Sequence, residues 1–417
     1  MARTWIRREV EIPNHLALAR LEKCPELGPK LLFFSGGSAL KRTSARLVNY
    51  THNSVHIMTP FDSGGSSAKI RKAFNMPAVG DIRARLMALA DQSLRGNPAI
   101  FELFVHRLPT EDTQESLRST LDRMVRGKHP LVARISDPMR KIVRNHLAMF
   151  QQHMPEDFDL RGASIGNLVL AGGYLANRRH LDPVIFMFSS LVQVRGIVRP
   201  VVNKNLQLAA ELSDGSLVVG QHLMTGKEAS PLSSPITRLF LSDDTGRAVD
   251  QPIRDKIRSL ILEAELICYP MGSFHSSVLA NVLPRGVGQA VAQANCPKIY
   301  VPSTGCDPEC LGMDVADQVE RLVATLMSDL GKGSGHGSGL GSGLDSGQEG
   351  SHDKPIAVAD VLHFVLVDTR HGQYPGGLDL DRIRRLGVEV IDCPLIGYGP
   401  STEIDDRFLA PILLSLA

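Results

Sequence analysis

The chain has 417 residues, 43% of them hydrophobic, which is enough for a sizeable core and excludes a chain disordered throughout. Its 46 Lys and Arg nearly balance 44 Asp and Glu, and a formal charge of +2 gives no general attraction to nucleic acid or an anionic membrane. Apolar runs such as Val361–Val367 fall short of the ~20 residues that span a bilayer. Glu9-Val10-Glu11 follows the early arginines where a secretory signal would need an apolar core, so a soluble, cytoplasmic protein is expected. The 6 cysteines form no disulfide framework, and Cys306 and Cys310 lack zinc-site spacing.

In chain order, a mixed, charged extension over residues 1–29 precedes what reads as a single domain over 30–417. Lys30–Phe34 predicts a buried strand that runs into Ser35-Gly36-Gly37-Ser38, followed by a helix over 39–50, a strand over 54–58 and the loop Asp62–Ser67. Residues 81–155 carry apolar positions at helical spacing, including Leu86, Leu89, Ile142 and Leu147, and predict a helical insert. From Gly196 the pattern becomes β-branched, and Asp214-Gly215 between two apolar runs predicts a hairpin. A helix over 252–264 leads to a strand over 266–269 and the loop Pro270–Ser277. Strands over 298–301, 362–367 and 388–391 alternate with helices over 315–330 and 379–386. Residues 331–354 are almost all Gly, Ser, His and acidic, and read as a disordered loop inserted into a fold that continues beyond it. The whole predicts an α/β fold: a Rossmann-like three-layer α/β/α sandwich with a mostly parallel sheet, the helical insert and the hairpin.

A strand, then Gly36-Gly37-Ser38, then a helix suits an anion, because glycines admit close backbone approach and the free N–H groups of a helix start point at a phosphate. No Gly-Lys-Ser/Thr closes this loop and no full Gly-x-Gly-x-x-Gly occurs, which disfavours P-loop hydrolysis and a dehydrogenase. The loop Asp62-Ser63-Gly64-Gly65-Ser66-Ser67, with Lys69, Arg71 and Lys72 beyond it, joins a carboxylate for Mg²⁺ with amide and hydroxyl donors for phosphate; as a capped turn with a solvated basic face it would be purely structural. Gly80-Asp81-Ile82-Arg83, Arg161-Gly162-Ala163-Ser164-Ile165-Gly166-Asn167-Leu168 and Gly272-Ser273-Phe274-His275-Ser276-Ser277 follow.

Taken in order, these motifs resemble the signature of the CofD family, the 2-phospho-L-lactate transferases and the related YvcK-type gluconeogenesis and cell-shape factors, from about Leu31 to Leu330. The family's second carboxylate before Gly-Gly-Ser-Ser is missing, read here as Phe61-Asp62, and Ser38-Ala39 and Pro270-Met271 also depart from its pattern, which marks a divergent member. The resemblance implies a nucleoside diphosphate ligand, a GDP ester or a UDP-sugar, and Mg²⁺. A transferase would move a phospholactate-like group to an acceptor hydroxyl and release a nucleoside monophosphate; a YvcK-like member would bind a nucleotide sugar without turnover. It further implies that Gly36, Gly37 and Ser38 bind the nucleotide end, that Gly64, Gly65, Ser66 and Ser67 bind phosphate, and that Gly272, Ser273, Ser276 and Ser277 take the diphosphate. Asp62 would support Mg²⁺, Arg71 or Arg83 offset transition-state charge, Asp81 orient Arg83, and Asn167 position the acceptor. His275 is expected to pack as an aromatic. A homodimer is expected, without nucleic-acid or membrane partners.

Overall fold

The computed structural model describes residues 9–93, 96–226, 230–330, 357–397 and 402–417; the inserted loop expected over 331–354 lies outside them. Seven strands form a wholly parallel sheet: β1 (Leu31–Ser35), β2 (Val55–Met58), β3 (Ile197–Pro200), β7 (Leu266–Tyr269), β8 (Lys298–Tyr300), β9 (Phe364–Val367) and β10 (Glu389–Asp392). Their order across the sheet is β10-β9-β8-β7-β1-β2-β3. The central strands are buried on both faces, which is why they read as unbroken apolar runs.

Successive side chains of a strand point to opposite faces, and the core divides accordingly. Leu32 and Phe34 of β1 join Ile57, Ile267 and Tyr269 in one cluster, closed by helices Asp255–Leu262, Val287–Gln293 and Val315–Ser328. Leu31 and Phe33 join Leu266, Cys268 and Leu366 in another, closed by helices Lys41–Leu47 and Asp406–Leu416. Helix His15–Lys23 lies within the expected extension and is tied to the last helix by the Asn14 N–H, which donates to Ser415 Oγ at 2.8 Å.

Two boundaries differ from expectation. Helices between β2 and β3 begin at Gly65 and continue past residue 155 as Ile165–Ala176 and Leu181–Leu191, around a third apolar cluster. Residues 165–174 are buried all round, so the helix has no polar face and no helical period to read. The hairpin is also larger: β4 (Gln207–Leu212) pairs antiparallel with β5 (Leu217–Val219) and with β6 (Ile236–Ser242), giving three strands in the order β5-β4-β6.

Among the described residues no helix is long and apolar enough to cross a membrane.

Candidate functional site

The chain leaves β1 toward β2 and β3 on one side of the sheet, while β7 begins the series that runs to the other edge. The β1–β7 boundary is therefore a topological switch point, where loops at the carboxyl ends of parallel strands diverge and leave a crevice. A cavity of about 530 Å³ opens there, walled by Ser35–Lys41 after β1, the Asp62–Ser67 loop after β2, and Met271–Ser273 with Ser277 after β7.

Both glycines after β1 are required by close contacts. A Cβ on Gly36 would stand 2.3 Å from Ser277 Oγ, and one on Gly37 would stand 2.0 Å from Asp81 Oδ1. The Asp81 carboxylate thus presses on the phosphate loop. Arg85, four residues on and fully buried, donates to the Gly36 carbonyl at 2.9 Å and to Ser44 Oγ, pinning the turn from behind. Burial lowers its pKa to about 10 against the opposing pull of Asp81, so it stays charged at neutral pH. Sequence reasoning missed Arg85; its only signal was a second arginine in the motif around Arg83.

Helix Gly65–Phe74 begins at the cavity, with Gly64 as its N-cap and Asp62 Oδ1 accepting the Gly64 N–H at 3.0 Å. Gly64, Gly65, Ser66 and Ser67 all line the space, so the donors of a helix start face it. Arg83 and Asn167 line it too and are joined, Arg83 Nε donating to Asn167 Oδ1 at 3.0 Å while Asn167 Nδ2 donates to Ser66 Oγ at 3.3 Å. Buried Asn167 therefore orients Arg83 and couples it to the Asp62–Ser67 loop. Burial, and then the charge of Arg107, lower the Arg83 pKa to about 10, still above neutrality. Arg107 also lines the cavity and was not anticipated.

Two expectations are corrected. Arg71 does not line the cavity: its guanidinium donates to the carbonyls of Phe61, Asp62 and Leu206 and to Asn205 Oδ1, at 2.7–3.1 Å. It is a buried clamp between the Asp62 loop and the approach to β4. Ser276 does not line the cavity either. Its N–H donates to Glu309 Oε2 at 2.7 Å and its hydroxyl to Glu309 Oε1, while the Phe274 N–H donates to Asp307 Oδ2 at 2.7 Å. An internal carboxylate thus holds Ser276, one of the four residues expected at the diphosphate, and Gly272, Ser273 and Ser277 remain on the wall. Burial, reinforced by Asp307, raises the Glu309 pKa to about 7. His275 packs edge-on against Phe274 as expected, and burial pushes its pKa down to about 3.

The residues immediately before Gly64-Gly65 are Asp62-Ser63, so the missing carboxylate falls at Ser63 rather than at Phe61. Ser63 Oγ lies 2.8 Å from His222 Nδ1, and His222 lines the cavity from the helix Gln221–Met224 that follows β5. Neither residue of that pair was anticipated.

A parallel α/β sheet with a crevice at its switch point defines a Rossmann-like class of fold. A family model described as 2-phospho-L-lactate transferase CofD matches residues 31–396, and the chain belongs to the CofD family. It is 29% identical over 295 residues to the gluconeogenesis factor of Bacillus subtilis (strain 168), covering 70% of this chain and 74% of that protein. It is 28% identical over 298 residues to a putative gluconeogenesis factor of Thermoanaerobacterium thermosulfurigenes, covering 71% and 74%. The fold matches a crystal structure of a UPF0052 family member from Bacillus halodurans with a TM-score of 0.65 at 20% identity, over 93% of this chain and 99% of that one.

Proposed function

We propose that the protein binds a nucleoside diphosphate carrying a small group, a GDP ester or a UDP-sugar, across this cleft, and moves the phospho-linked group to an acceptor hydroxyl. The observation that carries the reading is the convergence of two glycine-serine turns, the start of a ten-residue helix and Arg83 on one cavity at the switch point. A second cavity of about 470 Å³ shares Ser38, Gly272 and Ser273 with the first and offers room for a second substrate beside it. In the transfer, the acceptor oxygen forms a bond to the β-phosphorus, the bond from that phosphorus to the nucleoside monophosphate breaks, and the hydroxyl proton passes to solvent. Such reactions are promoted by positioning and charge neutralisation. Gly36–Ser38 and Gly64–Ser67 supply amide and hydroxyl donors, Arg83 offsets charge, and Asn167 holds Arg83 in place.

Among the described residues no three His, Cys, Asp or Glu side chains cluster as metal ligands. Asp62 nevertheless stands at the cavity wall, and Mg²⁺ is commonly bound through one or two carboxylates plus substrate phosphates, so the donor set fits a metal that arrives with its phosphates. Bound there by Asp62, Mg²⁺ would neutralise phosphate charge. The curated relatives named gluconeogenesis factors favour a second reading, ligand binding without turnover. With either reading we propose residues 30–417 as one domain of a cytoplasmic homodimer without nucleic-acid or membrane partners.

Thermal shift with Mg²⁺ against GDP, UDP, UDP-sugars and NAD, followed by chromatography for released nucleoside monophosphate, tests this. A ligand at a hundred times its Kd stabilises by about 2.7 kcal/mol. Stabilisation by guanosine diphosphates that Asp62→Asn abolishes, with monophosphate release from an ester, supports transfer; stabilisation by UDP-sugars without a metal requirement supports the sensor. A response to NAD alone rejects both.

A further inference from the structure

Ser63 and His222 lie 159 residues apart in sequence and meet at the cavity. Ser63 Oγ accepts the backbone N–H of His222 at 3.2 Å and lies 2.8 Å from the Nδ1 of the same residue. A hydroxyl has one proton and two lone pairs, so with one lone pair taken by that N–H the Ser63 proton is free to go to Nδ1, and an imidazole that accepts at Nδ1 carries its own proton on Nε2. Nε2 has no hydrogen-bond partner among the described residues. Gly220, at φ +111°, makes room for the ring: a Cβ there would lie 2.9 Å from His222 Cε1 and 3.1 Å from Nδ1. The three-stranded sheet therefore delivers an imidazole nitrogen to a wall otherwise built from the parallel sheet. Beside it on that wall, Gln221 has its Oε1 buried without a partner. Among the described residues neither group has a partner.

We propose that His222, held in its Nε2–H tautomer by Ser63, donates a hydrogen bond to a phosphate oxygen of the ligand in the cavity it shares with Gly36–Ser38. The inference rests on the nucleoside diphosphate reading and names a contact within it. It requires no turnover, so it holds for a transferase and for a sensor alike.

Isothermal titration of the full chain with GDP and with UDP, in the presence of Mg²⁺, tests the contact. A glutamine side chain can place its amide nitrogen near the position of histidine Nε2, whereas alanine places nothing there. His222→Ala is expected to weaken binding about 10- to 100-fold and His222→Gln by no more than about threefold, the range for one hydrogen bond to a charged group. Ser63→Ala, which frees the tautomer, should fall between them, with melting temperatures without ligand unchanged. Binding by His222→Ala within about threefold of the parent overturns the contact while leaving the ligand reading intact, as does a His222→Gln variant that melts normally but binds as weakly as His222→Ala. A parent chain that binds neither GDP nor UDP removes the diphosphate reading and this contact together, and is recognised before any variant is made.

Discussion

Replacing Arg71 with alanine separates a structural clamp from a binding residue. The guanidinium is 5% exposed and donates to the carbonyls of Phe61, Asp62 and Leu206 and twice to Asn205 Oδ1. Truncation leaves those acceptors without their donor inside the protein. At about 1–3 kcal/mol for each buried polar group left unsatisfied, and allowing for water entering the vacated space, the loss is about 3–5 kcal/mol. Urea denaturation reads it as a lower midpoint at unchanged slope. Nucleotide affinity of the protein that remains folded should stay within about threefold of the parent, because Arg71 does not reach the cavity. Arg83→Ala should behave the other way, costing under about 1.5 kcal/mol of stability while losing about 10- to 100-fold in affinity for GDP or UDP. An Arg71→Ala protein as stable as the parent yet unable to bind nucleotide would refute the assignment.

Gly37→Ala should abolish nucleotide-induced stabilisation, since its Cβ would stand 2.0 Å from Asp81 Oδ1 and either the loop or the carboxylate must move; a normal thermal shift contradicts that packing. The buried Glu309, with its pKa raised to about 7, binds a proton more tightly folded than unfolded, so its stabilising contribution is complete below its ordinary value of about 4.3 and lost as pH rises through 7. Glu309→Gln should therefore flatten the fall in melting temperature between pH 5 and 8, roughly the window those two values bracket, and an unchanged slope counts against the assignment. His275 has the opposite sign: its pKa is depressed to about 3, so its contribution is present above its ordinary value of about 6.5 and lost as pH falls toward 3. His275→Phe should retain more stability than the parent in acid, measured as melting temperature near pH 4.

Every strand of the parallel sheet except β3 was legible to within about two residues; the central ones are buried on both faces and so read as apolar runs, which the glycine turns punctuate. The two glycine-serine turns were legible from their glycines, which the structure uses: Gly36 and Gly37 stand in close contacts and Gly65 takes a φ of +48°. Helix Ile165–Ala176 and strand β6 were not, the first because complete burial erases its periodicity and the second because its pairing with β4 is a tertiary fact. The same division runs through the site. Sequence supplied Asp62, Arg83 and Asn167 as chemistry, but which groups face the ligand depended on contacts across 84–159 residues: Arg83 to Asn167 and Ser63 to His222. Arg71 and Ser276 carry the right functional groups, yet Asn205 and Glu309 claim them. A motif specifies donors and acceptors, whereas only the packed fold decides which of them the protein satisfies itself and which it leaves for a ligand.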